Sequence, residues 1–120
     1  MNSLIETLLQ NFIVDGVEIP VKYLYYDGGN DVYITYMQID ADASFSGDDE
    51  LLGYVDYYDF DIYCKGNYKN IVKELRKTLE NNGFKWQPSR TSPDMYEVET
   101  GYYHKTLNFA ILREEILDNG

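Results

Sequence analysis

Residues 55 to 64 read VDYYDFDIYC, and no other stretch limits the fold as tightly. Side chains alternate between the two faces of an extended strand. Tyr58, Phe60, Ile62 and Cys64 therefore share one face, and Tyr57, Asp59, Asp61 and Tyr63 share the other. The first set reads as a core face. The second reads as a polar face with carboxylates two residues apart. Asp56 falls on the apolar face, near its start, where a strand end reaches solvent.

Clustered carboxylates raise the question of chemistry. An acid–base pair needs surroundings that push its two pKa values apart. A hard cation needs further oxygen ligands converging from a loop. The chain has no EF-hand spacing and no HExxH, and His104 is its one histidine. His104 stands beside Lys105, on the face opposite Leu107 and Phe109, and reads as a solvent-facing or interface residue. Asp59 and Asp61 are thus expected to be solvated charges that discourage edge-to-edge pairing. No metal, cofactor or catalytic residue is assigned. The chain has one cysteine, Cys64, expected as a small buried hydrophobe.

The rest of the chain places this strand in context. Ser3 and Glu6 have the spacing of a capping box, and Ile5, Leu8, Leu9 and Phe12 follow on one helical face. The pattern predicts a helix over 3–11. Asp15-Gly16 is a turn signal. A strand is expected over 21–26, a glycine-rich turn over 27–31 and a second strand over 32–41. SFSGDDE, 44–50, reads as an exposed acidic loop rather than a calcium site. The third strand runs over 51–64. Tyr68, Ile71, Val72, Leu75 and Leu79 form the apolar stripe of a second helix, with Gly83 available to end it in a left-handed conformation. Short strands are expected near 84–87 and 95–99, with Pro88 and Pro93 bracketing a loop that contains Arg90. Thr100-Gly101 turns the chain into a final strand over 102–112. REEILDNG is a frayed helical turn or a tail. Trp86 reads as core or interface packing. Gly28-Gly29 precedes a strand, not a helix, and so is no phosphate loop.

Antiparallel strands with helices to one side indicate an α+β fold in the order α-β-β-β-α-β-β-β. A length of 120 residues indicates a single domain, 1–120, able to bury a core without staples. Ten Lys+Arg against 21 Asp+Glu give a net charge of −11. That disfavours a phosphate-binding surface and adhesion to anionic lipid. No apolar run approaches the roughly 20 residues of a membrane span. MNSLIETLLQ lacks the basic start of a secretion signal, so an intracellular setting is expected. The 13 tyrosines suit half-buried strands and protein contacts.

Three segments carry a family likeness: VEIPVKYLYYDGGNDVYITY at 17–36, FDIYCKGNYKNIVKELRKTLENNGF at 60–84, and PDMYEVETGYYHKTLNFAI at 93–111. Together they resemble the tail-completion proteins of tailed bacteriophages and prophages, the tail-terminator or head–tail joining group. In that group a strand ending in a Lys-Gly-Asp/Asn-Tyr turn leads into an amphipathic helix closed by glycine, then a hairpin of the form D-x-Y-E-x-x-T-G-x-Y-H-K. The matching positions here are Asp61 to Tyr68, Gly83, and Asp94 to Lys105. Cys64 stands where serine is common.

The resemblance implies a structural role. Such proteins assemble, commonly as a hexameric ring, on the head-proximal end of the tail tube. The ring stops tube growth, docks on head connector proteins and lets DNA pass without specific binding. The implied setting is the virion tail, with the host bacterial cytoplasm during assembly. Tyr25, Tyr26, Tyr57, Tyr63 and Tyr103 are the candidate subunit-interface residues. Asp48, Asp49 and Glu50 are candidates for an acidic lumen, which would repel DNA, or for a docking loop. The rival reading is an acidic DNA mimic or inhibitor of a basic partner. Lys69, Lys73, Arg76 and Lys77, on the outer face of the second helix, count against it. An enzyme is not expected, because no nucleophile is paired with a base.

Overall fold

A computed structural model describes residues 2–45, 47–48 and 50–114. Among the described residues, eight strands and two α-helices follow in the order α1 (Asn2–Leu8), β1 (Ile13–Val14), β2 (Val17–Glu18), β3 (Val21–Tyr23), β4 (Val32–Phe45), β5 (Leu51–Cys64), α2 (Lys69–Glu80), β6 (Lys85–Trp86), β7 (Met95–Tyr96) and β8 (Tyr103–Glu114). A 3-10 turn at Pro88–Arg90 lies between β6 and β7. The fold is α+β, as the patterning predicts. The main sheet runs β3-β4-β5-β8-β6, and β7 also pairs with β8.

The core lies between this sheet and the helices. Tyr58, Phe60, Ile62 and Cys64 are all buried, as their alternation requires. On β8 the neighbouring buried side chains are Leu107, Phe109 and Ile111. On α2 they are Ile71, Leu75 and Leu79, spaced four apart so that one stripe meets the sheet. Ile5, Leu9, Phe12, Val14 and Ile19 close the same cluster from the N-terminal side. Gly83 takes φ +91°, two residues past the C-cap Asn81, and the Phe84 N–H donates back to the Leu79 carbonyl.

Several boundaries depart from expectation. Ser3 lies inside α1, so it does not cap the helix. Asp15 and Gly16 both have positive φ, 52° and 80°, and join β1 to β2 as a two-residue hairpin. The strand expected over 21–26 stops at Tyr23, because Leu24 turns to φ 66°. β3 then pairs parallel to β4, Val21 opposite Ile34, so residues 24–31 form a return crossover and not a hairpin. Parallel strands usually need a longer connection. Here a strand of only three residues makes the short one sufficient. Met95–Tyr96 is all that forms of the strand expected over 95–99. Arg113 and Glu114 extend β8 instead of starting a tail, and residues 115–120 lie outside the described residues.

β4 continues to Phe45, past the limit expected at Ala41. β4 and β5 thus pair over 14 residues each, and β8 follows β5 as far as Glu114 opposite Gly53. β3 reaches only Tyr36 on β4, and the pairing of β6 on β8 ends at Ala110. The distal parts of β4, β5 and β8 therefore form a three-stranded arm that runs beyond the core. It gives the molecule its 51 × 27 × 23 Å extents. Among the described residues no helix is long and apolar enough to cross a membrane.

Candidate functional site

The face of the sheet turned away from the helices holds the carboxylates that the alternation exposes. It is not a wet face. Asp59 is half-buried and accepts a hydrogen bond from Asn108 Nδ2 at 2.8 Å. Asp61 accepts from Thr106 Oγ1 and lies 3.1 Å from His104 Nε2. Both carboxylates were expected to be solvated. The correction has a physical cause: their cross-strand neighbours on β8 are Asn108 and Thr106, which supply donors at the directly opposed positions. Residues 87–92 run along the outer edge of β8. The Gln87 and Ser92 N–H groups donate to the Asn108 and Thr106 carbonyls.

His104 is likewise no solvent-facing residue. Its side chain is 17% exposed and stacks on Tyr63 with ring centroids 4.2 Å apart. Its Nδ1 lies 3.6 Å from Glu97, opposite the Asp61 contact. Tyr33 stacks on the other side of Tyr63 at 4.7 Å, and Tyr102 meets both rings edge-on. Burial, with the Asp61 charge beside it, pushes the Tyr63 phenol up to about 12.

Asp56 corrects the reading in a third place. It is 1% exposed, not solvated at a strand end. Arg113 on β8 clamps it through Nε at 2.9 Å and Nη2 at 3.3 Å, and also lies over the Tyr54 ring. A buried carboxylate survives when paired in this way.

Burial is also the main influence on Asp59, whose carboxyl is held above its ordinary value of 3.8; the nearby Asp61 charge adds to the rise, and the Asn108 hydrogen bond opposes it. A carboxyl raised by folding binds more protons in the native state than in the unfolded one. Its contribution to stability is therefore lost as pH rises through that raised value. Asp59→Asn removes this dependence. Melting temperatures of the two proteins should differ little near pH 3 and diverge in favour of the variant toward pH 6. A constant difference across that range would contradict the assignment.

The predicted interface tyrosines fall into two groups. Tyr25 is 70% exposed and Tyr103 is 44% exposed, and Tyr103 meets Tyr96 at 4.8 Å. Tyr26 bonds to Asn30 and tilts against Tyr33, Tyr57 lies under the Arg90 guanidinium, and Tyr63 is sandwiched as above. The structure does not bring the five together. Asp48 and Glu50 are exposed at the end of the arm, and Asp49 lies outside the described residues.

No protein-family model matches the chain, and no curated protein matches its sequence. The geometry therefore has to carry the reading. Among the described residues no three histidine, cysteine, aspartate or glutamate side chains converge as a cation site. Cys64 is buried, and its sulfur accepts from the Gly66 N–H. Arg90, which suggested no role from sequence, lies over Tyr57 and 3.8 Å from Asp40. Trp86 lies under the Arg76 guanidinium, and its Nε1 donates to Thr91. Most polar groups of the sheet's second face are matched to one another, while the Asn108 Oδ1 is buried without a hydrogen-bond donor among the described residues. The arm and the outer face of α2 present exposed side chains. The arm exposes Phe45, Leu52 and Leu112, at 57%, 49% and 50%. Sequence reasoning missed these residues because an exposed apolar side chain looks like a core one until its partners are placed.

Proposed function

We propose that the protein is a virion assembly subunit of a tailed bacteriophage. In this reading it closes the head-proximal end of the tail tube as a ring and joins tail to head. The arm carries the reading. A monomer gains nothing from a projecting ribbon with exposed Phe45, Leu52 and Leu112, whereas a subunit of an assembly buries such side chains. The net charge of −11 fits a ring through which DNA passes without sticking. The partners are further copies of the chain, the tube protein and the head connector. Its place is the virion tail, and before that the cytoplasm of the infected cell. Tyr25 and Tyr103, the exposed pair among the predicted tyrosines, are available to such contacts.

Negative-stain microscopy of the concentrated protein tests this proposal. Closed rings with a central opening are the expected images. Open filaments, or single subunits with and without tube protein, would count against it.

The acidic-inhibitor reading keeps one supporting observation. Residues 37–56 hold six carboxylates and no lysine or arginine. A native gel against a basic nuclease tests it, and an unshifted band would remove it.

A further inference from the structure

The arm and α2 are opposite in charge. Residues 37–56 carry six carboxylates and no lysine or arginine, and Asp42 lies on β4 where that strand has lost its β3 neighbour. α2 carries Lys69, Lys73 and Lys77 at spacings of four, which places them on one face, away from the buried Ile71, Leu75 and Leu79. All three lysines are exposed. Among the described residues no ion pair engages them, while Arg76 is paired with Glu80 at 3.2 Å. Between the lysines runs a shallow groove of about 310 Å³ floored by Val72.

The arm has a face that suits this groove. Asp42 pairs with Val55, and Val55 pairs with Leu112; a register shift between Ser44 and Phe45 interrupts the alternation beyond them. Cross-strand partners share a face, so Asp42, Val55 and Leu112 lie together. This face is opposite to the one that α2 covers in its own chain. An arm pairing with the arm of another copy would set Asp42 and its neighbouring acids against each other. An arm lying on α2 would set them against lysines.

We propose that this face of the arm docks on the lysine stripe of α2 in a second copy of the chain. The contact joins two different surfaces, so each copy offers both halves and copies add head to tail. Val55 and Leu112 meet Val72 and the lysine stems, while Asp42 and Asp48 meet the ammonium groups. The inference deepens the ring reading and rests on it for closure of the array.

Charge reversal on each half tests the contact. One variant carries Lys69→Glu, Lys73→Glu and Lys77→Glu, and the other carries Asp42→Lys and Asp48→Lys. Circular dichroism first establishes that both fold. Light scattering then reads association of each variant alone and of an equimolar mixture. Each variant alone should associate about 100-fold or more weakly than the natural chain, because like charges now face each other. The mixture should recover assembly, since lysines at 42 and 48 meet glutamates on α2 at one junction and aspartates at 42 and 48 meet lysines on α2 at the next. Raising salt from about 0.05 M to about 0.5 M should weaken assembly of the natural chain. If the natural chain assembles and both variants assemble equally well alone, the docking contact is wrong and the ring reading stands. Loss in both variants without recovery in the mixture also overturns the contact. A natural chain that stays monomeric, even with tube protein, overturns both.

Discussion

Phe60→Ala should cost about 4 kcal/mol of stability, the largest effect expected of any single change. Phe60 is fully buried at the middle of β5. Its ring stacks against Tyr36 at 5.7 Å and meets Phe109 edge-on at 5.6 Å, so it ties β4, β5 and β8 together. Truncation removes the transfer free energy of the ring and leaves a cavity that three paired strands cannot collapse to fill. Domains of this size have about 5–15 kcal/mol in total, so roughly a quarter to four-fifths of the margin goes. Urea unfolding should show the midpoint falling at nearly constant slope. Phe60→Leu should cost markedly less. A loss below about 1 kcal/mol for Phe60→Ala would mean that this face of β5 is not the core.

Arg113→Ala should cost about 3 kcal/mol, and for a different reason. The substitution leaves Asp56, 1% exposed, with a buried charge and no guanidinium. Gln38 Nε2, 3.4 Å from Asp56 Oδ1, offers a weak neutral donor in its place. The Arg113 side chain is 35% exposed, which puts the expected loss at the lower end of the range for broken buried pairs. Removing both charges should restore much of it, so Arg113→Ala with Asp56→Leu should be more stable than Arg113→Ala alone. A double-mutant cycle by thermal unfolding measures the coupling. Additive effects would show that the pair does not hold the arm to the core. Because this pair sits where the arm leaves the core, its loss should also weaken assembly.

The same two residues show what a sequence reveals and what it hides. Leu51–Cys64 is legible to the residue, because its alternation is long and its ends are marked by acid and glycine. The α2 stripe is legible for the same reason at the helical period. Phe60 is therefore recognisable as core from its neighbours alone. Asp56 is not recognisable as buried, because its partner is 57 residues away, in a segment with the composition of a tail. Asp59 and Asp61 likewise find Asn108 and Thr106 at separations of 49 and 45 residues. Strand alternation assigns a side chain to a face. It does not tell what the next strand sets opposite. The parallel pairing of β3 was hidden by a single backbone angle, since VKYLYY has the residues of a longer strand and only the left-handed Leu24 ends it. For the candidate surface, the acids of the arm and the lysines of α2 are plain in the sequence. Their placement on a projecting arm and on the outer face of a helix is not.

Self-assembly is read from the mass of the natural chain in solution. Light scattering over a concentration series at low salt should show a species near six times the 14.0 kDa chain mass, growing with concentration at the expense of the monomer. A 14.0 kDa species at every concentration, unchanged when tube protein is added, would rule out assembly as a ring.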